Sequence, residues 1–208
     1  MRAAPVRWWR TRPAAVRTAL ACLVLPVAAG VAPTPVRAAP ETYRLDPTHT
    51  TPMFEVLHLG LSLQRGFFTN ASGTITLDRA AGSGSVDVVI GAGSVTTGSR
   101  VLNDVLKGPD FFDAERHPVV TYRARAVEFD GGKPVRAMGE LTLLGVTKPV
   151  PLAIGGFRCT SHPLYRRPIC GAEATAQIRR SDFGMTYGLP AAVADDVRIV
   201  IPIEALRD

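Results

Sequence analysis

Asp110, Asp113, Glu115 and His117 fall within eight residues, beside Phe111 and Phe112. Carboxylates and an imidazole at this density can hold a divalent cation or move protons. With His49 and His58 added, the set contains the side chains of a metal-assisted hydrolase or isomerase. The spacing speaks against that chemistry. No His-Glu-x-x-His and no Cys-x-x-Cys occurs, and His49 and His58 stand nine apart on a turn and a strand. There is no Gly-x-Ser-x-Gly elbow and no nucleophile beside an evident base. Ser181-Asp182-Phe183-Gly184 contains a kinase-like triplet, but no glycine-rich phosphate loop accompanies it. The reading is therefore no catalytic residue, no cofactor and no metal, with the metal-assisted enzyme as the alternative. Asp46, Asp110 and Asp113 read as turn residues that bond nearby backbone amides. His117 precedes Pro118, which favours extended backbone and the start of a strand.

The elements that would position these groups begin after residue 38. Residues 1–38 carry Arg2, Arg7, Arg10, Arg12 and Arg17 ahead of an apolar run at 19–32 and a small-residue site at Val36-Arg37-Ala38. This is the pattern of a cleaved secretory signal. The apolar run is shorter than the roughly 20 residues of a spanning helix. Arg10 and Arg12 are separated by Thr11, which points to the general secretory route. The chain is +6 overall, but residues 1–38 hold six arginines and no acid, leaving 18 basic against 18 acidic residues in 39–208. The basic excess thus belongs to export, and no nucleic-acid footprint remains. Residues 39–208 are one domain by size. Cys159 and Cys170, an even pair in an exported chain, are expected to form a disulfide.

Period-two alternation dominates residues 39–208. Val86, Val88 and Ile90 form one apolar face, as do Val120, Tyr122, Ala124 and Ala126. The same holds for Ala172, Ala174, Ala176 and Ile178, and for Ile199, Ile201 and Ile203. Each predicts an antiparallel strand with one wet side. Hairpin turns are expected at Asp130-Gly131-Gly132 and Gly145-Val146-Thr147-Lys148. Residues 99–108 break the pattern: Val101, Leu102, Val105 and Leu106 are at helical spacing, and Gly108-Pro109 stops the run. About eight strands with one apolar face must roll up or stack. The inward alanines predict a barrel with room for a ligand, unless Phe54, Phe67 or Phe111 fills the space. Charges on the opposite face favour a soluble, inside-apolar barrel over a membrane barrel.

Five segments in register resemble the YceI family of lipocalin-like, polyisoprenoid-binding proteins. They are LDPTHTTPMFEVLHLG (45–60), RGFFTNASGTITLD (65–78), DFFDAERHPVVTY (110–122), GELTLLGVTKPV (139–150) and IRRSDFGM (178–185). The resemblance implies an all-β, eight-stranded antiparallel barrel with one short helix crossing an end. It implies an apolar lumen for an isoprenoid lipid such as a polyprenyl phosphate or ubiquinone, and a periplasmic location. It also implies a cytochrome b561-type membrane partner, and a homodimer is a further possibility. Two departures stand out: Leu57 replaces the family's basic residue before His58, and the 159–170 loop carries cysteines. The expected ligand-binding residues are Phe54, Val56, His58, Arg65, Phe67, Val88, Ile90, Phe111, Tyr122, Ala124, Leu141, Ala174, Phe183 and Tyr187. His58 and Arg65 are the expected head-group contacts. Phe111 and Phe112 are expected to face different ways, with one capping the core.

Overall fold

The computed structural model describes residues 39–208, together with Met1 and Ala4; the proposed export leader otherwise lies outside the described residues. Twelve strands form one antiparallel sheet. They are β1 (Glu41–Leu45), β2 (Met53–His58), β3 (Ser62–Phe68), β4 (Ala71–Asp78), β5 (Ser83–Gly91), β6 (Val95–Thr96), β7 (Val119–Asp130), β8 (Lys133–Leu143), β9 (Val146–Pro149), β10 (Leu152–Ser161), β11 (Pro168–Arg179) and β12 (Val193–Arg207). Eight close the barrel, in the order β1-β4-β5-β7-β8-β10-β11-β12, with β12 returning to β1. Closure removes the sheet edges that would otherwise template aggregation. The short strands β2, β3 and β6 extend from β12, and β9 pairs with β8.

The long strand β12 makes closure possible because one of its edges serves two partners. Its C-terminal part pairs with β1 through Leu45↔Ala205, and its N-terminal half pairs with β2 through Val200↔Met53. The chain crosses from β1 to β2 at residues 46–52, where Thr50 replaces a backbone partner. The buried Thr50 hydroxyl donates to the Glu204 carbonyl at 3.0 Å and accepts from the Glu204 amide at 3.1 Å. A buried corner thereby keeps its ladder satisfied.

The helix α1 spans Arg100–Lys107. Ser99 caps it by accepting from the Leu102 amide, and the Gly108 amide returns to the Val105 carbonyl. Leu106 is buried and Leu102 packs on the core, whereas Val101 and Val105 face outward. The four apolar positions expected on one face therefore split into two pairs.

Two register readings require correction. A bulge in β7 between Ala124 and Ala126 reverses the strand's phase, so Ala126 is exposed and Val127 takes the inward place. The second hairpin turns at Leu144-Gly145, both at positive φ, and residues 146–149 form β9 instead of a loop. The expected turn at Gly131-Gly132 joins β7 to β8, with both glycines at positive φ.

Candidate functional site

The inward faces of the eight ring strands enclose a cavity of about 210 Å³. One buried water needs about 10–15 Å³ of such space, so this volume is far beyond a packing defect. Its wall is aliphatic and aromatic. From β12 come Val197, Ile199, Ile201 and Ile203; from β5, Val86, Val88 and Ile90; from β11, Ala172, Ala174 and Ile178. The alternation is what places them: each strand gives every second side chain to the lumen. At the helix-side end, Phe54, Phe68 and Phe112 form a cluster with ring centroids 5.1–6.1 Å apart. At the other end Tyr43, Leu45, Leu77, Cys170 and Ala205 pack together with Phe157.

Glycines make room for two of the aromatics. A Cβ at Gly66 would lie 2.3 Å from the Phe54 ring, and one at Gly139 would lie 2.5 Å from the Tyr122 ring. Each aromatic therefore lies flat across a neighbouring strand instead of filling the lumen.

Few polar groups reach the wall, and they are already bonded. The Tyr122 hydroxyl lies 3.0 Å from both the Ala137 and Val150 carbonyl oxygens. Burial pushes its pKa up to about 12, so the phenol stays neutral. Thr50 is held by Glu204. Among the lining residues Arg180 is the only charged one, and it is 3 % exposed. Its guanidinium donates to the carbonyls of Ala194, Met185, Tyr187 and Val193 at 2.8–2.9 Å. Burial pulls its pKa down, while Asp195 at longer range opposes the shift. Among the described residues no buried side-chain nitrogen or oxygen lacks a hydrogen-bond partner. The lumen thus offers dispersion and apolar burial along its length.

Eight of the expected residues lie on this wall: Phe54, Val56, Val88, Ile90, Phe111, Tyr122, Leu141 and Ala174. Ala124 and Phe183 are buried in the core without lining the cavity. Four are elsewhere. His58 ends β2 exposed, beyond the inward lane that Phe54 and Val56 share. Arg65 is on the outer face, 2.7 Å from Glu55, which also holds Arg198 at 2.9 Å. The two guanidiniums hold the Glu55 carboxyl below its usual range. Phe67 is exposed and Phe68 is inside, because Gly66 stands opposite the inward Phe54 and sets the parity of β3. Tyr187 is 56 % exposed and meets Phe111 edge-on from outside the cavity wall.

Phe111 and Phe112, expected to diverge, are both buried and both line the cavity. A tight turn follows them, with Asp113 at φ of 44°. Phe112 N donates to the Leu106 carbonyl, and His117 N to the Asp113 carbonyl. Sequence reasoning passed over Phe68, Leu106, Phe112 and Met185 on the wall. The glycine opposite Phe54 was the available signal for Phe68.

The residues of the metal-enzyme alternative are not brought together. His117 packs over Gly145, and His58 lies opposite Val193 at the end of β2. Among the described residues one group, Asp46, His49 and Glu204, places three ligand-type atoms within 4.8 Å of one another. It is an ion-paired corner, with His49 Nδ1 2.7 Å from Asp46 and 3.8 Å from Glu204, and it does not include His58, His117 or the acids at 110–115. Cys159 and Cys170 are disulfide-bonded across directly paired positions of β10 and β11, and Cys170 reaches the cavity wall.

Residues 43–205 match the family described as YceI-like domain. Protein YceI of Escherichia coli O157:H7 is 30 % identical over 168 residues, 79 % of this chain and 86 % of that one. Burkholderia cenocepacia BcnA superposes with a TM-score of 0.66 at 24 % identity, covering 77 % of this chain and 98 % of that one. A polyisoprenoid binding domain from Saccharophagus degradans superposes with a TM-score of 0.57 at 18 % identity, covering 80 % and 98 % of the two chains. At these identities the two structures show likeness of fold.

Proposed function

We propose, from the premise that this chain belongs to the YceI-like domain family, that it binds an isoprenoid-type lipid in the barrel lumen and carries or sequesters it. Polyprenyl phosphates and ubiquinone-like molecules are the cargo class. The cavity carries this reading: a continuous apolar wall whose polar groups are already bonded. Such a wall suits an unbranched or methyl-branched hydrocarbon chain and gives nothing to a polar one. Each buried methylene contributes up to about 0.8 kcal/mol before ordering costs. The polar head of the lipid belongs at a mouth of the barrel, since the lumen has no free partner for it.

In this reading residues 1–38 are an export leader and residues 39–208 work in the periplasm as a soluble carrier. The Cys159–Cys170 disulfide supports an oxidising compartment. Ion pairs such as Arg123–Asp87 and Arg179–Asp195 on the strands' outer faces support a water-facing exterior. Among the described residues no helix is long and apolar enough to cross a membrane.

The experiment is native mass spectrometry of protein purified from bacterial envelopes, followed by organic extraction. One prenyl lipid per barrel is expected. Protein that is empty in every preparation, and that takes up neither added polyprenol nor added quinone, would overturn the proposal.

A further inference from the structure

The hairpin of β10 and β11 ends in a tip at residues 162–167 that carries Arg166 and Arg167, with Arg158 below it. From Ala153 to Ala172 there is no acidic residue. The tip is a self-bonded turn. His162 N donates to the Arg167 carbonyl and Arg166 N to the His162 carbonyl. His162 Nδ1 accepts from the amides of Leu164 and Tyr165, and the Tyr165 ring stacks on His162 at 4.5 Å. This geometry turns outward the two side chains that water favours least: Leu164 is 81 % exposed and Tyr165 59 %.

The support beneath is braced. Cys159–Cys170 ties the strands together, and Arg79 from the β4–β5 turn lies over the Phe157 ring at 5.1 Å. Phe157 and Cys170 also line the cavity, so the tip stands at one end of the lumen. An aliphatic residue, an aromatic residue and arginines on a rigid turn match an interface between water and anionic head groups. Arginine bonds phosphate through its fork, while Tyr and Leu enter the boundary region.

We infer that the 162–167 tip docks the barrel on an anionic lipid bilayer. The inference rests on the lipid-carrier reading in one respect: docking sets an end of the lumen against the membrane, where cargo is exchanged. The rival patch is the β2–β3 hairpin, where Leu59 is 53 % and Leu61 83 % exposed. No arginine or lysine lies between Leu57 and Leu63, so binding there would not distinguish anionic from neutral lipid.

The test is co-sedimentation of the chain from Ala39 onward, which holds every strand of the closed sheet, with two kinds of vesicle. One is phosphatidylcholine alone; the other is phosphatidylcholine with about a third phosphatidylglycerol. Binding is expected on the mixed vesicles only, with release by salt. Each guanidinium removed weakens binding about fivefold, so Arg166→Gln with Arg167→Gln weakens it about 25-fold. Leu164→Ser with Tyr165→Ser weakens binding and leaves its salt dependence intact. Equal binding to both vesicles, no response to the arginine changes, or loss only on Leu59→Ser with Leu61→Ser would each overturn docking by the tip. Uptake of a fluorescent prenol without vesicles reports on the lumen separately. Protein that fills but never sediments overturns docking and leaves the carrier reading standing. Protein that sediments but stays empty supports docking and overturns the carrier.

Discussion

At the scale of the residue, Arg180 shows how a charge is kept inside an apolar barrel. Four carbonyls from residues 185–194 accept from its guanidinium, which holds the loop before β12 against the barrel end. Arg180→Leu leaves these carbonyls without donors and is expected to cost about 3 kcal/mol or more in urea unfolding. Arg180→Lys should recover little, because an ammonium lacks the planar fork. His49 and Asp46 make a second residue-scale case. Their hydrogen bond raises the His49 pKa and lowers that of Asp46. The histidine's share of stability is complete below its ordinary pKa of about 6.5 and is lost as pH rises through the raised value. The aspartate's share is complete above about 3.8 and is lost as pH falls through the depressed value. The gap in urea midpoint between wild type and His49→Gln should therefore be widest near about pH 5 and close on both sides. A gap that keeps growing above pH 8 would contradict the assignment. Glu204's approach was not legible from spacing, since it joins the pair from the other end of the chain.

At the scale of the element, the hairpin of β10 and β11 is tied covalently as well as by its ladder. The disulfide closes a loop of sequence separation 11. In the chain-entropy picture, Cys159→Ser with Cys170→Ser costs about 2–3 kcal/mol, read as a drop in urea midpoint that dithiothreitol reproduces in the wild type. The pairing was expected once residues 1–38, with Cys22, were read as a leader, because two cysteines then remain. Strand periods were equally readable, and α1 was found within a residue of its ends. Parity was readable only where no bulge intervened. The β7 bulge moved Ala126 outside and Val127 inside, and nothing in the alternation of that segment announces it. Phe67 and Phe68 are chemically identical neighbours, and only the pairing of β3 with β2 chooses between them.

At the scale of the whole molecule, the cavity exists because small and large inward residues are set against one another around a closed ring. Ala174 is 1 % exposed and on the wall. Ala174→Phe should fill the lumen and reduce lipid uptake about tenfold or more, while the urea midpoint holds or rises because an empty cavity has been occupied. Unchanged uptake would place the cargo elsewhere. In the wild type, lipid at about a hundred times its Kd adds about 2.7 kcal/mol, worth about 5–10 °C in Tm for a domain of this size. Delipidated protein should melt lower by that amount in calorimetry.

The sequence by itself determined the class of fold, because period-two alternation with Gly and Asp turns permits little else, and it carried the disulfide and the family. The family resemblance is what gave the acids at 110–115 their reading as fold-specifying corner residues. Only the tertiary structure decided which side chains face the lumen at its rims. His58, Arg65 and Phe67 lie at a strand end or across the pleat, where one residue of register changes inside to outside. Only the closed ring brings Arg180 to the wall and sets the arginine-rich tip at an end of the lumen. Those positions depend on pairings between strands far apart in the chain, which a local pattern does not contain.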